Sequence, residues 1–259
     1  MAACAGRDAL STSGVGPDDV DLVIVATCTA IDRSPNVAAR VAAALELTGN
    51  PAVLDINVVC SGFTYALAVA DQAIRSGSSR HALVIGAEKL TDFTDWTDRS
   101  TCVLVGDGAG AVIVSGSDTR EISPVVWGSF PDMSDAVRIE GRDGSFAQNG
   151  TTVYRWALAE LPRIARRVCE RAGLKPEDLG GIVLHQANLR IINPVAGSIG
   201  AINAVVATDV VYSGNTSAGS IPIALSKMVR EGRVQRRSPV LLFGFGGGLA
   251  YAGQVIVCP

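Results

Sequence analysis

A cysteine, a histidine and an asparagine each end an apolar run where a loop or helix begins, which is where a chain can do chemistry. Cys60 lies in Asp55-Ile-Asn-Val-Val-Cys-Ser-Gly-Phe-Thr-Tyr-Ala-Leu67, a strand that runs into a helix with the thiol at the bend. At a helix N-terminus, free N–H groups and the positive end of the macrodipole favour thiolate over thiol, and the thiolate is the nucleophile. Ser61-Gly62 lets the backbone turn sharply and approach a substrate closely. A small buried residue filling the turn is the competing reading on position alone. His185 closes Ile182-Val-Leu-His-Gln-Ala-Asn-Leu-Arg190, where a polar cluster breaks out at the carboxyl end of an apolar strand. A core histidine satisfied by backbone would not need Gln186 and Asn188 beside it. Asn215 lies in Tyr212-Ser-Gly-Asn-Thr-Ser-Ala-Gly-Ser-Ile-Pro222, which also reads as a turn with a helix cap.

Other candidates fall away on spacing. The six cysteines stand at positions 4, 28, 60, 102, 169 and 258, never as C-x-x-C, so neither a zinc site nor a disulfide framework is expected. Of the two histidines, His81 precedes its strand in a Ser/Arg-rich turn and is read as solvated. Gly106-Asp-Gly-Ala-Gly-Ala111 leads into a strand and not a helix, so the phosphate cradle of a dinucleotide site is missing. Gly244-Phe-Gly-Gly-Gly-Leu249 also joins strand to strand, and close backbone approach to a reacting carbonyl is its expected use.

The elements that must position these residues follow from hydrophobic patterning. Short β-branched runs predict strands at 22–27, 52–57, 82–86, 111–115, 182–185, 204–211, 240–243 and 251–257. Ala-rich stretches predict helices at 36–47, 62–76, 153–172 and 220–231. The alternation is that of an α/β protein with strands buried on both faces. An internal repeat divides it. Gly14-Val-Gly-Pro-Asp-Asp-Val-Asp-Leu-Val-Ile-Val25 lines up with Gly173-Leu-Lys-Pro-Glu-Asp-Leu-Gly-Gly-Ile-Val-Leu184, and Arg80-His-Ala-Leu-Val-Ile-Gly86 with Ser238-Pro-Val-Leu-Leu-Phe-Gly244. Between them, Val59-Cys60-Ser61-Gly62 is set against Ser213-Gly214-Asn215-Thr216, making Asn215 the counterpart of the cysteine turn. Two related halves are expected, residues 1–118 with the cysteine and 119–259 with the histidine and asparagine. Ligands gather at the carboxyl ends of strands, so the site is expected to be shared by both halves.

Composition sets the class. The chain has 259 residues, 48% of them hydrophobic, with a net charge of −3. No apolar run reaches the roughly 18 residues of a membrane span, and the N-terminus lacks a signal-peptide layout. Binding to nucleic acid or an anionic membrane is not expected, and the cytoplasm is the expected compartment.

Taken together, Asp-Ile-Asn-Val-Val-Cys60-Ser-Gly-Phe, His185-Gln-Ala-Asn-Leu-Arg, Gly214-Asn215-Thr-Ser-Ala and Phe245-Gly-Gly-Gly248 resemble the signatures of the β-ketoacyl-acyl-carrier-protein synthase III family, in its order, within the thiolase-like condensing enzymes. The resemblance implies two pseudo-repeated α/β halves in a layered α-β-α-β-α architecture. It implies that Cys60 takes an acyl group from acyl-CoA, with Cys60 and Gly247 N–H groups as oxyanion hole. His185 and Asn215 would then stabilise the enolate formed from malonyl-acyl-carrier-protein as carbon dioxide leaves. No cofactor and no metal are implied, and a homodimer is. Other positions match the family's pattern too: Arg99 near the CoA adenine, Asn188 and Gly150 along the pantetheine arm, and Arg155 and Arg190 for carrier-protein docking. Ser34 falls where some members place a phenylalanine at the acyl channel, so a longer primer chain would fit.

Departures keep two alternatives open. The family's first strand and helix, with the rest of its adenine clamp, do not precede Met1, which would expose a sheet edge and apolar surface. The segment from Ile191 to Gly200 lacks the family's basic residues and carries Pro194. A relative that transfers the acyl group to an alcohol or amine without decarboxylation is one alternative; a non-catalytic relative is the other.

Overall fold

In the computed structural model, which describes residues 1–141 and 144–259, two sheets stack with helices outside and between them. The first is built on β1 (Leu22–Ala26), whose alternation sorts its side chains between two cores. Leu22, Ile24 and Ala26 face the layer between the sheets; Val23 and Val25 face outward. Parallel partners β2 (Ala52–Ile56) and β3 (His81–Lys89) flank it, and β4 (Asp107–Ser115) runs antiparallel to β3. Helices α1 (Ala2–Ser13) and α2 (Val37–Ala44) cover the outer face. Asn36 caps α2, and the Asp55 carboxylate on β2 accepts the N–H groups of Val37 and Ala38, satisfying donors the helix leaves free.

The second sheet has the order β5 (Val126–Gly128), β11 (Tyr251–Val257), β10 (Pro239–Phe245), β8 (Gly181–Leu184), β9 (Val205–Val206). Its outer face carries α4 (Gly150–Arg171) and α5 (Leu189–Ile199). Between the sheets lie α3 (Gly62–Arg75) and α7 (Ser220–Arg230), in a core of side chains such as Ile24, Phe63, Ile221 and Leu242. Burying each such side chain fully contributes about 1.5–3 kcal/mol. The result is the layered helix–sheet–helix–sheet–helix arrangement of the thiolase-like fold.

The repeat extends to register. β2-β1-β3-β4 matches β9-β8-β10-β11 in order, and Leu22 pairs with Ala82 as Gly181 pairs with Val240. The strands of the first sheet end at Ser115 and those of the second begin at Val126.

Several expectations are corrected. The strand expected over 204–211 is only Val205–Val206; α6 (Val210–Ser213) follows, and Asp209 at its start pairs with Lys227 of α7. That extra turn of helix displaces the repeat: the 3-10 turn Val59–Ser61 before α3 matches Ser217–Gly219 before α7, so the counterpart of Cys60 is Ala218 and not Asn215. Gly108 and Gly110 lie inside β4 and not ahead of it, and a Cβ on Gly110 would stand 2.7 Å from the Ile223 nitrogen, so these glycines seat α7. His81 opens β3, half-buried, with its ring on Ser115. Helices α1 and α5 went unpredicted. Pro194 inside α5 would ordinarily break it, but Ile191, Ile192, Val195 and Ile199 bury one face and outweigh that cost. Among the described residues β4 pairs on one side only, and a groove of about 580 Å³ beside it is lined by Leu67, Ile74, Val112 and Leu225.

One contact draws the two halves together. A Cβ on Gly86 of β3 would stand 2.1 Å from the Ala218 carbonyl oxygen. Gly86→Ala is therefore expected to destabilise the protein by about 2 kcal/mol or more, read as a lowered denaturation midpoint; an unchanged midpoint would mean the turn before α7 is free to move.

Candidate active site

The 3-10 turns Val59–Ser61 and Ser217–Gly219 meet at the junction of the halves, and three non-glycine residues there hold left-handed backbone. Val59 has φ +46°, Ser217 φ +45° and Leu249 φ +39°. For a β-branched residue such as Val59 this conformation is strained, and packing on all sides must hold it. It throws Cys60 into a buried position at the entrance to α3, with 6% of its surface exposed. Gly246 presses on it so closely that a Cβ there would stand 2.8 Å from the sulfur. The backbone N–H groups of Gly247 and of Cys60 itself and the Ser217 side chain lie near enough to the sulfur to favour its charged form.

These donors do not make a resting thiolate. Burial pushes the Cys60 thiol up to about 11, against the lowering by Ser217 and Gly247. The helix-terminus argument had favoured thiolate; desolvation outweighs it.

His185 continues β8, its N–H donating to the Phe243 carbonyl at 2.9 Å. The ring is buried, packs edge-on to Phe245 at 5.4 Å between centroids, and places Nδ1 2.8 Å from Ser220 Oγ. Burial holds its pKa down at about 3, so the imidazole is neutral at physiological pH. Gln186 braces this corner: its side chain donates to the Leu184 and Ala207 carbonyls and accepts the Val210 N–H. Asn188 caps α5 through the Arg190 N–H.

Asn215 is clamped by backbone from the other half, its N–H donating to Leu104 and its carbonyl accepting from Gly106. Its Oδ1 accepts the Ser217 N–H at 2.9 Å, and the residue lines the cavities described next. Two cavities open on this centre. One, about 650 Å³, is lined by Cys60, His185, Asn215, Phe245 and Gly247. The other, about 670 Å³, is lined by Cys60 and Asn215 with the apolar Ile31, Leu90, Phe93 and Phe146. Cys60 and Asn215 belong to both.

The remaining sequence candidates divide. Gly150, Asn188 and Arg190 line the His185 cavity. Arg99, Arg155 and Ser34 are exposed and line neither, because the turns and helix face that carry them point to solvent. Sequence reasoning missed Glu88, Ser217, Ser220 and Cys28. Glu88 had a readable signal, a lone carboxylate at the carboxyl end of the apolar strand His81–Lys89. Among the described residues no cluster of three or more His, Cys, Asp or Glu side chains could hold a metal ion, and no helix is long and apolar enough to cross a membrane.

Two related α/β halves that bury a thiol, a neutral imidazole and an amide at their junction define a thiolase-like condensing enzyme. The chain belongs to the 3-oxoacyl-[acyl-carrier-protein] synthase III family: residues 54–131 match that family and residues 169–258 its C-terminal part. It is 62% identical to β-ketoacyl-[acyl-carrier-protein] synthase III 4 of Streptomyces coelicolor, over 100% of this chain and 83% of that protein. To the β-ketoacyl-[acyl-carrier-protein] synthase III of Aquifex aeolicus it is 40% identical, covering 99% and 82%. In structure it is similar to the priming β-ketosynthase of the R1128 polyketide pathway, with a TM-score of 0.97 at 39% identity, covering 100% and 81%.

A protonated resting thiol has a direct readout. Cys60 alkylation by iodoacetamide is expected to rise about tenfold per pH unit through the neutral range and to level off only near 11. A plateau reached by about pH 7 would mean a resting thiolate, with the depressed pKa that reactive cysteines can have.

Proposed function

We propose that this enzyme loads an acyl group from acyl-CoA onto Cys60 and condenses it with malonyl-acyl-carrier-protein, releasing carbon dioxide and a β-ketoacyl product. The observation that carries this reading is the convergence of Cys60, His185 and Asn215 on one cavity. Covalent capture as a thioester splits one difficult step into two. The Gly247 and Cys60 N–H groups, near the sulfur, would hold the oxyanion as the acyl carbonyl is attacked.

The two cavities divide the substrates. The one with both His185 and Asn215 receives the malonyl thioester, because enolate stabilisation needs both donors. The other, which His185 does not line and where Ile31, Leu90 and Phe93 do, takes the acyl chain. Ser220 fixes the imidazole: its oxygen accepts the Gln186 N–H, and in this reading it donates its own proton to Nδ1. The ring proton then sits on Nε2, facing the thioester oxygen. A neutral imidazole donates this hydrogen bond without proton transfer, and the charge it meets develops only as carbon dioxide leaves. None of these steps needs a cofactor.

Further parts of the reading rest on placement. Arg190, exposed at the wall of the His185 cavity, and Arg155 on α4 would receive an acidic carrier protein. Arg99 would meet the CoA adenine from its exposed turn, and Gly150 and Asn188 would flank the pantetheine arm. Residues 1–118 and 119–259 are taken as the two related units. A homodimer and a cytoplasmic site of action belong to the same reading, and the pathway served is fatty acid or polyketide initiation.

Intact mass after incubation with acyl-CoAs of increasing length tests the central claim. A gain matching the acyl group is expected for the protein and not for Cys60→Ala; no gain with any donor would sink the reading. His185→Ala and Asn215→Ala are expected to load normally and to lose about 10²–10³-fold in release of carbon dioxide from labelled malonyl donor. With His185 neutral down to about 3, condensation should show no acid limb at the ordinary histidine value. For docking, Arg190→Glu should slow condensation with malonyl-carrier-protein while leaving a malonyl-pantetheine donor unaffected. Equal loss with both donors would place Arg190 in the cavity's chemistry and not in docking.

A further inference from the structure

Beside the active-site turns lies a buried carboxylate that the reaction described above does not use. Glu88, at the end of β3, has 1% of its surface exposed. Its Oε2 accepts from Thr29 Oγ1 at 2.8 Å, the Cys28 N–H at 3.1 Å and Thr27 Oγ1 at 3.2 Å, all on the segment that follows β1. Thr29 Oγ1 already accepts the Lys89 N–H at 3.0 Å, so its one proton is left for Glu88. Oε1 accepts from the Cys28 thiol at 3.3 Å and, across the junction of the halves, from Ser217 Oγ at 3.0 Å. Lys89 turns outward to Asp92 instead, and among the described residues no basic side chain bonds to Glu88. A carboxylate buried without a cation is costly, and its hydrogen bonds must offset that cost. Burial raises its pKa, and these donors act against the rise.

Ser217 faces two ways. Its hydroxyl donates to Glu88, and its backbone N–H donates to Asn215 Oδ1 at 2.9 Å. The main chain of Asn215 is clamped by Leu104 and Gly106, but those bonds do not set the rotation of its side chain. The Ser217 N–H does. Only the oxygen of an amide can accept from an N–H, so this bond decides which end of Asn215 is which and leaves Nδ2 as the donor. Ser217 holds its N–H there from a left-handed backbone, φ +45°, which a residue with a side chain keeps only when its surroundings enforce it. The hydroxyl bond to Glu88 is such an enforcement, and it is independent of the clamp on the Asn215 main chain.

We propose that Glu88 is a positioning residue for Asn215: it tethers the Ser217 hydroxyl, and so keeps the Ser217 N–H on Asn215 Oδ1 and the amide nitrogen turned to the malonyl thioester. This rests on the reading of Asn215 as a donor to the enolate. No proton moves at Glu88 and no covalent bond forms there. The tether runs between the halves, from the end of β3 to the turn before α7.

The test measures carbon dioxide released from labelled malonyl-acyl-carrier-protein in a single turnover, on enzyme whose Cys60 has been loaded beforehand. The reactivity of the thiol then drops out. Ser217→Ala removes the tether and keeps the strained backbone. Ser217→Gly removes it too, but glycine holds a left-handed φ unaided. Removing one donor to a developing oxyanion costs about 10²–10³-fold, and misplacing a group by about 1 Å can cost about 10²-fold. Glu88→Ala and Ser217→Ala should therefore release carbon dioxide at least about tenfold more slowly, and Ser217→Gly should regain most of that loss. In an Asn215→Ala background these variants should have no further effect, because the group they orient is gone.

A residue that only stabilises the fold gives another pattern: a lower denaturation midpoint, a loss that adds to that of Asn215→Ala, and no recovery with glycine. That pattern overturns the proposal, as do release rates that match the unaltered protein. Ser217→Gly as slow as Ser217→Ala overturns it too, since the step would then need the hydroxyl itself. Ser217→Ala leaves Glu88 its Thr27, Cys28 and Thr29 donors and carries the test if Glu88→Ala does not fold. If the protein takes no acyl group, or if Asn215→Ala alone releases carbon dioxide at the full rate, the proposed function fails first and the positioning role goes with it. A slow Asn215→Ala beside unaffected Glu88 and Ser217 variants removes the positioning role alone.

Discussion

Everything at this site depends on how closely two backbones approach in the middle layer. Gly86 lies against the Ala218 carbonyl, and Gly244 lies against Ser61, where a Cβ would stand 2.9 Å from the Ser61 Cα. Each half thus pushes the end of a central strand against the other half's helix entrance. No side chain fits at either contact. The two helix entrances have no freedom to separate, and the left-handed residues Val59 and Ser217 are held in place by that pressure. The strain is local; the packing that supports it extends over both sheets.

A junction this tight buries the thiol and the imidazole, and the electrostatics follow. The same burial that keeps His185 uncharged keeps Cys60 protonated. Those are opposite requirements for one reaction. A neutral imidazole is what a hydrogen-bond donor to an enolate should be, since it is preorganised and carries no charge to be desolvated. A protonated thiol, by contrast, is a poor nucleophile until its proton goes somewhere. Under the proposed reaction, burial would favour condensation and hinder loading.

Patterning made much of this legible, and its failures are informative. β1, β8, β10 and β11 could be read because strands buried on both faces are continuous apolar runs. Cys60, His185 and Asn215 could be read because each places a reactive or polar group at the end of such a run. Ser217 could not. Its role comes from a left-handed φ and a neighbour 129 positions away in sequence, and no local pattern encodes either. Helix α5 was hidden by Pro194, a local penalty that a strongly apolar face overrides. The mismatch at 204–211 has a similar cause. Ala204-Val-Val-Ala-Thr-Asp-Val-Val211 has strand composition throughout, but Asp209 pairs with Lys227 and turns the chain into α6. Arg99 and Ser34 depended on the family's motif alone, and nothing in their own surroundings draws them to the cavities.

The repeat also explains why the site is asymmetric. Ala26 on β1 is the counterpart of His185 on β8, Cys60 of Ala218, and Glu88 of Gly246. At every one of these pairs a group with chemistry in one half faces a small residue in the other. The small members fill space in the same contacts: Ala26 and Ala218 crowd Gly62, and Gly246 crowds the Cys60 sulfur. Two functional side chains at equivalent places would collide at the junction, so each half can keep a reactive group only where its counterpart has given one up. Thiol and carboxylate remain in the first half, while imidazole, amide and the Ser217 hydroxyl remain in the second. Neither half holds a complete set, and only the close contact of their helix entrances brings the set together.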